Sequence, residues 1–238
     1  MLDFFQSIYD KFLRLPKVIK GIDAFINIDF ECKHITLGNT NSAWTICPKF
    51  LNESSVVYSF GVGCDVSFDL EIINYFDLKI YAFDPTPKSI AWVKEQNLPK
   101  QFMLLEYGLA NFDGKAKFHP PENPDYVSAT ILERETTENE AYKVDVKKLK
   151  TIMTELGHKE LDLLKMDIEG AEYDVIDDII AGGVKPEQIL IEFHHRFKNV
   201  GVDKTIKAVN KLREYGYRVF HVSKTGEEIS FLKNGLIP

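Results

Sequence analysis

Leu163-Leu164-Lys165-Met166-Asp167-Ile168-Glu169-Gly170-Ala171-Glu172 is the stretch on which the fold turns. Its start reads as a short apolar strand, and Asp-x-Glu-Gly then leads into a helix. A strand that is apolar along its length is buried on both faces, as in parallel sheets covered by helices. Two carboxylates and a glycine at the carboxyl end of such a strand stand where open α/β sheets bind ligands. Asp167 and Glu169 are two apart, so an extended backbone turns both toward one side. Close carboxylates suit a cationic cofactor, substrate hydroxyls or general-base work. The structural alternative for Glu169 is to cap the helix beginning at Ala171.

The chain on either side of this stretch alternates in the same way. Val56–Phe60, Lys79–Phe83 and Phe102–Leu105 read as strands, followed after Leu161–Met166 by Gln188–Phe193. Helical spacing links Val66, Leu70, Ile73 and Phe76, then Ile90 and Val93, then Val175, Ile176, Ile179 and Ile180, then Ile206, Val209 and Leu212. Strands alternating with helices predict an α/β fold with a mostly parallel, Rossmann-like sheet. Tyr217–Val222 and Glu228–Leu232 flank Lys224-Thr225-Gly226, a hairpin-like turn that predicts an antiparallel C-terminal strand. Residues 2–15 carry Phe5, Ile8, Tyr9, Phe12 and Leu13 on one helical stripe that Pro16 is expected to end. The expected organisation is an N-terminal helical extension over 1–50 and one domain over 51–238, with the first helix packing on the body or on a second copy of the chain. Residues 111–147 break the rhythm with Pro120, Pro121, Pro124 and an acidic run from Glu133 to Glu140. They read as a turn, a strand and a long loop, either a wall over the ligand end of the sheet or a mobile acidic surface.

Phe60-Gly61-Val62-Gly63 supplies a glycine turn after the first strand of the domain. Glycine lets the backbone turn sharply and approach a ligand without a Cβ in the way. A dinucleotide fingerprint needs a third glycine, and Val66 stands at that position. Asp84 follows the second strand, about 20 residues past the turn, where a carboxylate can accept the ribose hydroxyls of an adenosine group. Thr86, before Pro87, is the better helix cap, which frees Asp84 for a ligand. His194 and His195 end the fifth strand and point to opposite faces, so they do not share a metal. His194 lies on the side of Glu192 and is a candidate to take a proton from a hydroxyl.

Composition narrows the class. The 29 basic and 36 acidic residues give a net charge of -7, which argues against a nucleic-acid partner. Cys32, Cys47 and Cys64 are too few and too widely spaced for a disulfide framework, so a reducing, cytoplasmic setting is expected. No apolar run reaches the length of a membrane span, and the start Met1-Leu2-Asp3 does not read as a secretory leader. Zinc spacings, a hydrolase elbow and a P-loop are all absent, and no metal ligand set is legible.

Taken together these motifs resemble the FkbM family of S-adenosylmethionine-dependent methyltransferases. The carriers are Tyr58-Ser59-Phe60-Gly61-Val62-Gly63, Phe83-Asp84-Pro85, Gly108-Leu109-Ala110-Asn111 with Gly114, Lys165-Met166-Asp167-Ile168-Glu169-Gly170-Ala171-Glu172, and Ile191-Glu192-Phe193-His194. The resemblance spans roughly residues 54–222. It implies a seven-stranded methyltransferase fold and methyl transfer, often to a hydroxyl of a sugar or natural product. By matching position it implies a donor site of Phe60, Gly61, Gly63, Asp65, Asp84, Pro85, Leu109 and Asp167. In it the two glycines line the methionine part, Asp84 holds the ribose, Leu109 sits near the adenine and Asp167 faces the sulfonium or the acceptor. Asp167, Glu169 and His194 form the implied catalytic set. Two positions depart from the family: Ser59 replaces an acid, and Asp65 replaces a glycine. Asp65 either supplies the missing carboxylate from a shifted place or caps the helix. The competing functions are a nicotinamide-dependent oxidoreductase and a non-catalytic binding protein on the same sheet.

Overall fold

The structure is a computed structural model and describes residues 14–40, 42–123 and 125–237. In chain order its elements are β1 (Ile35–Leu37), β2 (Trp44–Ile46), β3 (Val57–Phe60), α1 (Ser67–Phe76), β4 (Ile80–Phe83), α2 (Pro87–Glu95) and β5 (Phe102–Leu105). There follow β6 (Gly108–Leu109), β7 (Gly114–Phe118), β8 (Tyr142–Lys147), α3 (Leu149–Leu156), β9 (Leu163–Met166) and α4 (Glu172–Gly182). The chain closes with β10 (Gln188–Glu192), α5 (Val202–Tyr215), β11 (Tyr217–Val222) and β12 (Glu228–Lys233).

Seven strands form the main sheet in the order β11-β12-β10-β9-β3-β4-β5. The pairs among β10, β9, β3, β4 and β5 are parallel, and β12 runs antiparallel between β10 and β11. The mostly parallel Rossmann-like sheet and its antiparallel C-terminal strand are therefore as expected. Alternate residues feed two apolar cores. Tyr58, Phe60, Leu164, Met166 and Ile191 pack on one face, while Val57, Ile80, Leu163 and Leu190 pack on the other. Burial of both faces explains why these strands read as unbroken apolar runs.

Chain order runs outward from β3 through β4 to β5, then returns to β9 on the other side of β3. The carboxyl ends of β3, β4 and β9 thus meet at the point where the strand order reverses, the usual ligand crevice of such sheets.

Two regions differ from the sequence reading. The first is the N-terminal segment. Its apolar stripe at residues 2–13, with the inter-copy contact expected of it, lies outside the described residues. Residues 14–19 are helical, and the helix continues past Pro16. The remainder holds no α-helix: β1 and β2 form an antiparallel pair, and Pro48–Phe50 make a single 3-10 turn. It is also not a separate extension. Gln188 accepts from the Cys47 N–H at 2.8 Å and donates to its carbonyl at 3.0 Å, and Ser230 Oγ donates to Thr45 O at 2.8 Å. Asp23 is buried under a bidentate contact with Arg196, at 2.8 and 3.1 Å.

The second region is 111–147, which holds more structure than a strand and a loop. β6, β8 and β7 make a separate three-stranded sheet in that order. β8 is Tyr-Lys-Val-Asp-Val-Lys, with Val144 and Val146 buried and Asp145 exposed. Only two apolar residues point inward, which hid a genuine alternation among charges. Among the described residues no helix is long and apolar enough to cross a membrane.

Candidate active site

The site is built from four turns that leave the sheet at one end. The β3 turn carries Gly61 at φ +83° and Gly63 at φ +56°, a left-handed backbone region that other residues enter at a cost. Space adds a second reason at Gly61, because a Cβ there would collide with the carbonyl oxygen of Asp167. The first carboxylate of the opening motif and the glycine turn are therefore in direct backbone contact. Lys165 Nζ, buried beneath them, donates to Gly61 O at 2.8 Å and lies 5.0 Å from the centre of the Trp44 ring. The lysine of the motif clamps the turn.

Between these turns lies a cavity of about 350 Å³. Phe60, Gly61, Gly63, Asp65, Asp84, Pro85, Leu109, Asp167 and Glu169 all line it. Every residue of the expected donor set is thus brought to one cleft, with Glu169 beside it. The 111–147 region supplies the facing wall through Phe118, Val127, Ser128 and Ala129.

Asp84 is 4% exposed, and its carboxylate is occupied. Oδ2 accepts the N–H groups of Val62 at 3.0 Å and Gly63 at 2.9 Å, and Oδ1 accepts Thr86 N–H at 2.8 Å. The expectation that Thr86 frees Asp84 is corrected: the Thr86 side chain makes no cap, and Asp84 takes that amide itself. A buried carboxylate must be satisfied, and the nearest amides do so. One lone pair on Oδ1 remains for a hydroxyl.

Asp65 resolves the question left by its departure from the family pattern. Its Oδ1 accepts Ser67 N–H at 2.8 Å at the start of α1, and its Oδ2 accepts Asn39 Nδ2 at 2.6 Å. It caps the helix. Ser59 Oγ and Asp69 Oδ1 are both buried. Asp69 sits in the first turn of α1 beside Ser59, and burial pushes its carboxyl up.

The reacting end is crowded with acids. His194 Nε2 lies 3.5 Å from Glu169 Oε2, 3.8 Å from Asp167 Oδ1 and 4.0 Å from Glu192 Oε1, while Nδ1 lies 3.4 Å from Glu172 Oε1. Burial works against charge on the ring, but Glu172, Glu169 and Asp167 outweigh it and hold His194 at about 10. The same burial pushes Asp167 and Glu169 up, and it takes Glu192, with Asp167 beside it, to about 9. In this state His194 already carries its proton at neutral pH. His195 points to the opposite face, as expected, with Nε2 3.6 Å from Asp23.

Glu169 does not cap a helix. Its backbone sits at φ +51°, and its carbonyl accepts the Thr130 hydroxyl. A non-glycine residue held there is strained, and the surrounding contacts impose the geometry. Sequence reasoning passed over Glu172, which is 0% exposed. It accepts Gly170 N–H and His194 N–H, both at 2.8 Å, and so ties the β9 turn to the end of β10. The signal was its place in the motif string, although no role could be read from spacing. Glu192 was quoted without a role and also belongs to the cluster.

The FkbM methyltransferase domain family matches residues 56–219. The chain belongs to that family. Among curated proteins it is similar to the human "probable methyltransferase-like protein 24", 24% identical over 204 residues, which is 78% of this chain and 49% of the relative. The chain thus spans about half the length of that relative. A shorter match of 83 residues, 32% identical, falls within the AMB antimetabolite synthetase AmbE of Pseudomonas aeruginosa, covering 34% of this chain and 4% of that protein. Among solved structures, the FkbM methyltransferase of Methylobacillus flagellatus aligns with TM-score 0.47 and 13% identity, over 76% of this chain and 44% of the other. The fibrillarin pre-rRNA processing protein of Methanococcus jannaschii aligns with TM-score 0.45 and 7% identity, over 89% and 87%.

Proposed function

We propose that this chain is an S-adenosylmethionine-dependent methyltransferase that acts on a hydroxyl of a small molecule, such as a sugar or a natural product. The observation that carries the reading is the single cleft shared by Asp84 and Asp167, with the Gly61-Val62-Gly63 turn between them. The donor, when bound, supplies a methyl group on a positively charged sulfur.

The residues fit such a group. Gly61 and Gly63 leave backbone open to the amino-acid end, the free lone pair of Asp84 Oδ1 meets a ribose hydroxyl, and buried Leu109 with half-buried Pro85 offers an apolar seat for the base. Asp167 and Glu169 favour positive charge at the reacting end. They also hold the acceptor hydroxyl behind the methyl carbon, at about 3 Å for in-line transfer. As the new oxygen–carbon bond forms and the sulfur–carbon bond breaks, the hydroxyl proton passes to Asp167 or Glu169. The 127–129 wall excludes water from that step.

Calorimetry with S-adenosylmethionine and S-adenosylhomocysteine tests the donor site, with the oxidised nicotinamide dinucleotides as comparison. Binding of the adenosyl compounds with a raised melting temperature supports the reading. Binding of the dinucleotide alone would move the chain to oxidoreductase chemistry. Donor binding without methyl transfer to any of a broad hydroxyl panel would favour the non-catalytic reading.

A further inference from the structure

Behind Asp167 the cleft continues into a second, smaller chamber of about 50 Å³ that shares Gly61, Val62 and Asp167 with it. Lys165, Asp69, Glu192 and Glu228 are among its further polar lining. One oxygen of Asp167, one of Glu192 and a ring nitrogen of His194 lie within 4.8 Å of one another at its edge. The Nε2 distances of 3.8 and 4.0 Å are too long for hydrogen bonds. They lie about half an ångström beyond the roughly 3.0–3.4 Å that separates neighbouring ligands each about 2.1 Å from a shared ion, a gap that a small inward shift of the side chains closes. Two further observations point to such an ion. Asp167 Oδ1 is a buried carboxylate oxygen without a hydrogen-bond partner. A buried polar atom is rarely left so unless something absent from the protein meets it. His194 is 6% exposed, and Glu172 Oε1, 3.4 Å from its Nδ1, holds the ring with Nε2 turned toward Asp167 and Glu192.

We infer that Asp167, Glu192 and His194 form a divalent-cation site at the reacting end of the cleft. The inference rests on the methyltransferase reading for its purpose, though not for its geometry. Two carboxylates and one imidazole suit Mn²⁺ or Zn²⁺ better than Mg²⁺, which prefers an all-oxygen shell. The ligand set leaves positions open, so an acceptor hydroxyl can coordinate and be polarised. Glu169, outside the trio, then receives the hydroxyl proton.

The test titrates the full chain with Mn²⁺ alone and with Zn²⁺ alone, at neutral pH, by calorimetry and Mn²⁺ paramagnetic resonance. One ion per chain is expected. E192Q and H194A each weaken it by roughly tenfold or more, while E228Q, which lines the chamber outside the trio, changes it little. Binding of S-adenosylhomocysteine is measured on the same samples and survives chelation, whereas turnover does not. A dissociation constant weaker than about 1 mM for both ions overturns the site, as does binding unchanged in both E192Q and H194A. Loss of S-adenosylhomocysteine binding in the wild type would instead overturn the function proposed above. E192Q serves where H194A fails to fold, because it keeps the shape of the buried side chain.

Discussion

The tips of β4 and β9 each present a buried aspartate to the same cleft, and they are finished differently. Asp84 accepts three backbone N–H groups and is nearly saturated. Asp167 leaves one oxygen without a hydrogen-bond partner and stands among other acids and an imidazole. A satisfied buried carboxylate builds the scaffold, since it fixes the glycine turn against the start of α2. An unsatisfied one stores electrostatic free energy that a cation or a reacting hydroxyl can release. The β4 tip therefore reads as the end that grips, and the β9 tip as the end that reacts.

The comparison breaks first at Asp84. D84A leaves three N–H groups without an acceptor, at about 1–3 kcal/mol for each one that stays buried. We expect donor binding to disappear in calorimetry and the melting temperature to fall. Unchanged affinity would show that Asp84 does not organise the donor site. At Asp167 the opposite pattern is expected. D167N lowers turnover roughly 100-fold and leaves S-adenosylhomocysteine affinity close to wild type. Steady-state kinetics showing lost affinity with intact turnover would reverse the two roles.

Asp23 sharpens the contrast as a third buried acid, outside the cleft lining and paired with Arg196. Burial would raise its carboxyl, but the Arg196 contact, helped by Arg14, outweighs that and holds it below the usual range. A depressed carboxyl stabilises the fold above its unfolded value of about 3.9, and that share is lost as pH falls through the folded value. Melting curves of wild type and D23N should therefore differ most at neutral pH and converge in acid below pH about 4. A constant gap across that range would show that Asp23 contributes through packing alone. The smallest effect on stability is expected at Glu169, whose φ of +51° is a strained position for a side chain. E169G should gain about 1 kcal/mol at most while slowing turnover. A loss of stability in chemical denaturation would mean that the glutamate side chain holds the turn.

Much of this was legible in the chain because it is local. Strands buried on both faces are short apolar runs, and the helices between them repeat at three and four residues. Gly61 and the Asp167 motif announce a ligand crevice by standing at strand ends. β8 escaped because its alternation is carried by two valines among charged residues, and its partners β6 and β7 lie on either side of it only in space. Asp84 misled because spacing cannot count lone pairs. Thr86 looked like the better cap, yet the folded turn delivers its amide to Asp84.

By itself, then, the sequence determined the alternation of main-sheet strands with their helices, the end of the sheet at which the cleft opens, and the family, since all three depend on residues near one another along the chain. Only the tertiary structure decided what the acids do. The parallel register that sets Ile191 beside Met166 carries Glu192 and His194 up to Asp167 from another strand. Electrostatic character depends on distances and burial among groups far apart in sequence, and those exist only once the sheet has closed.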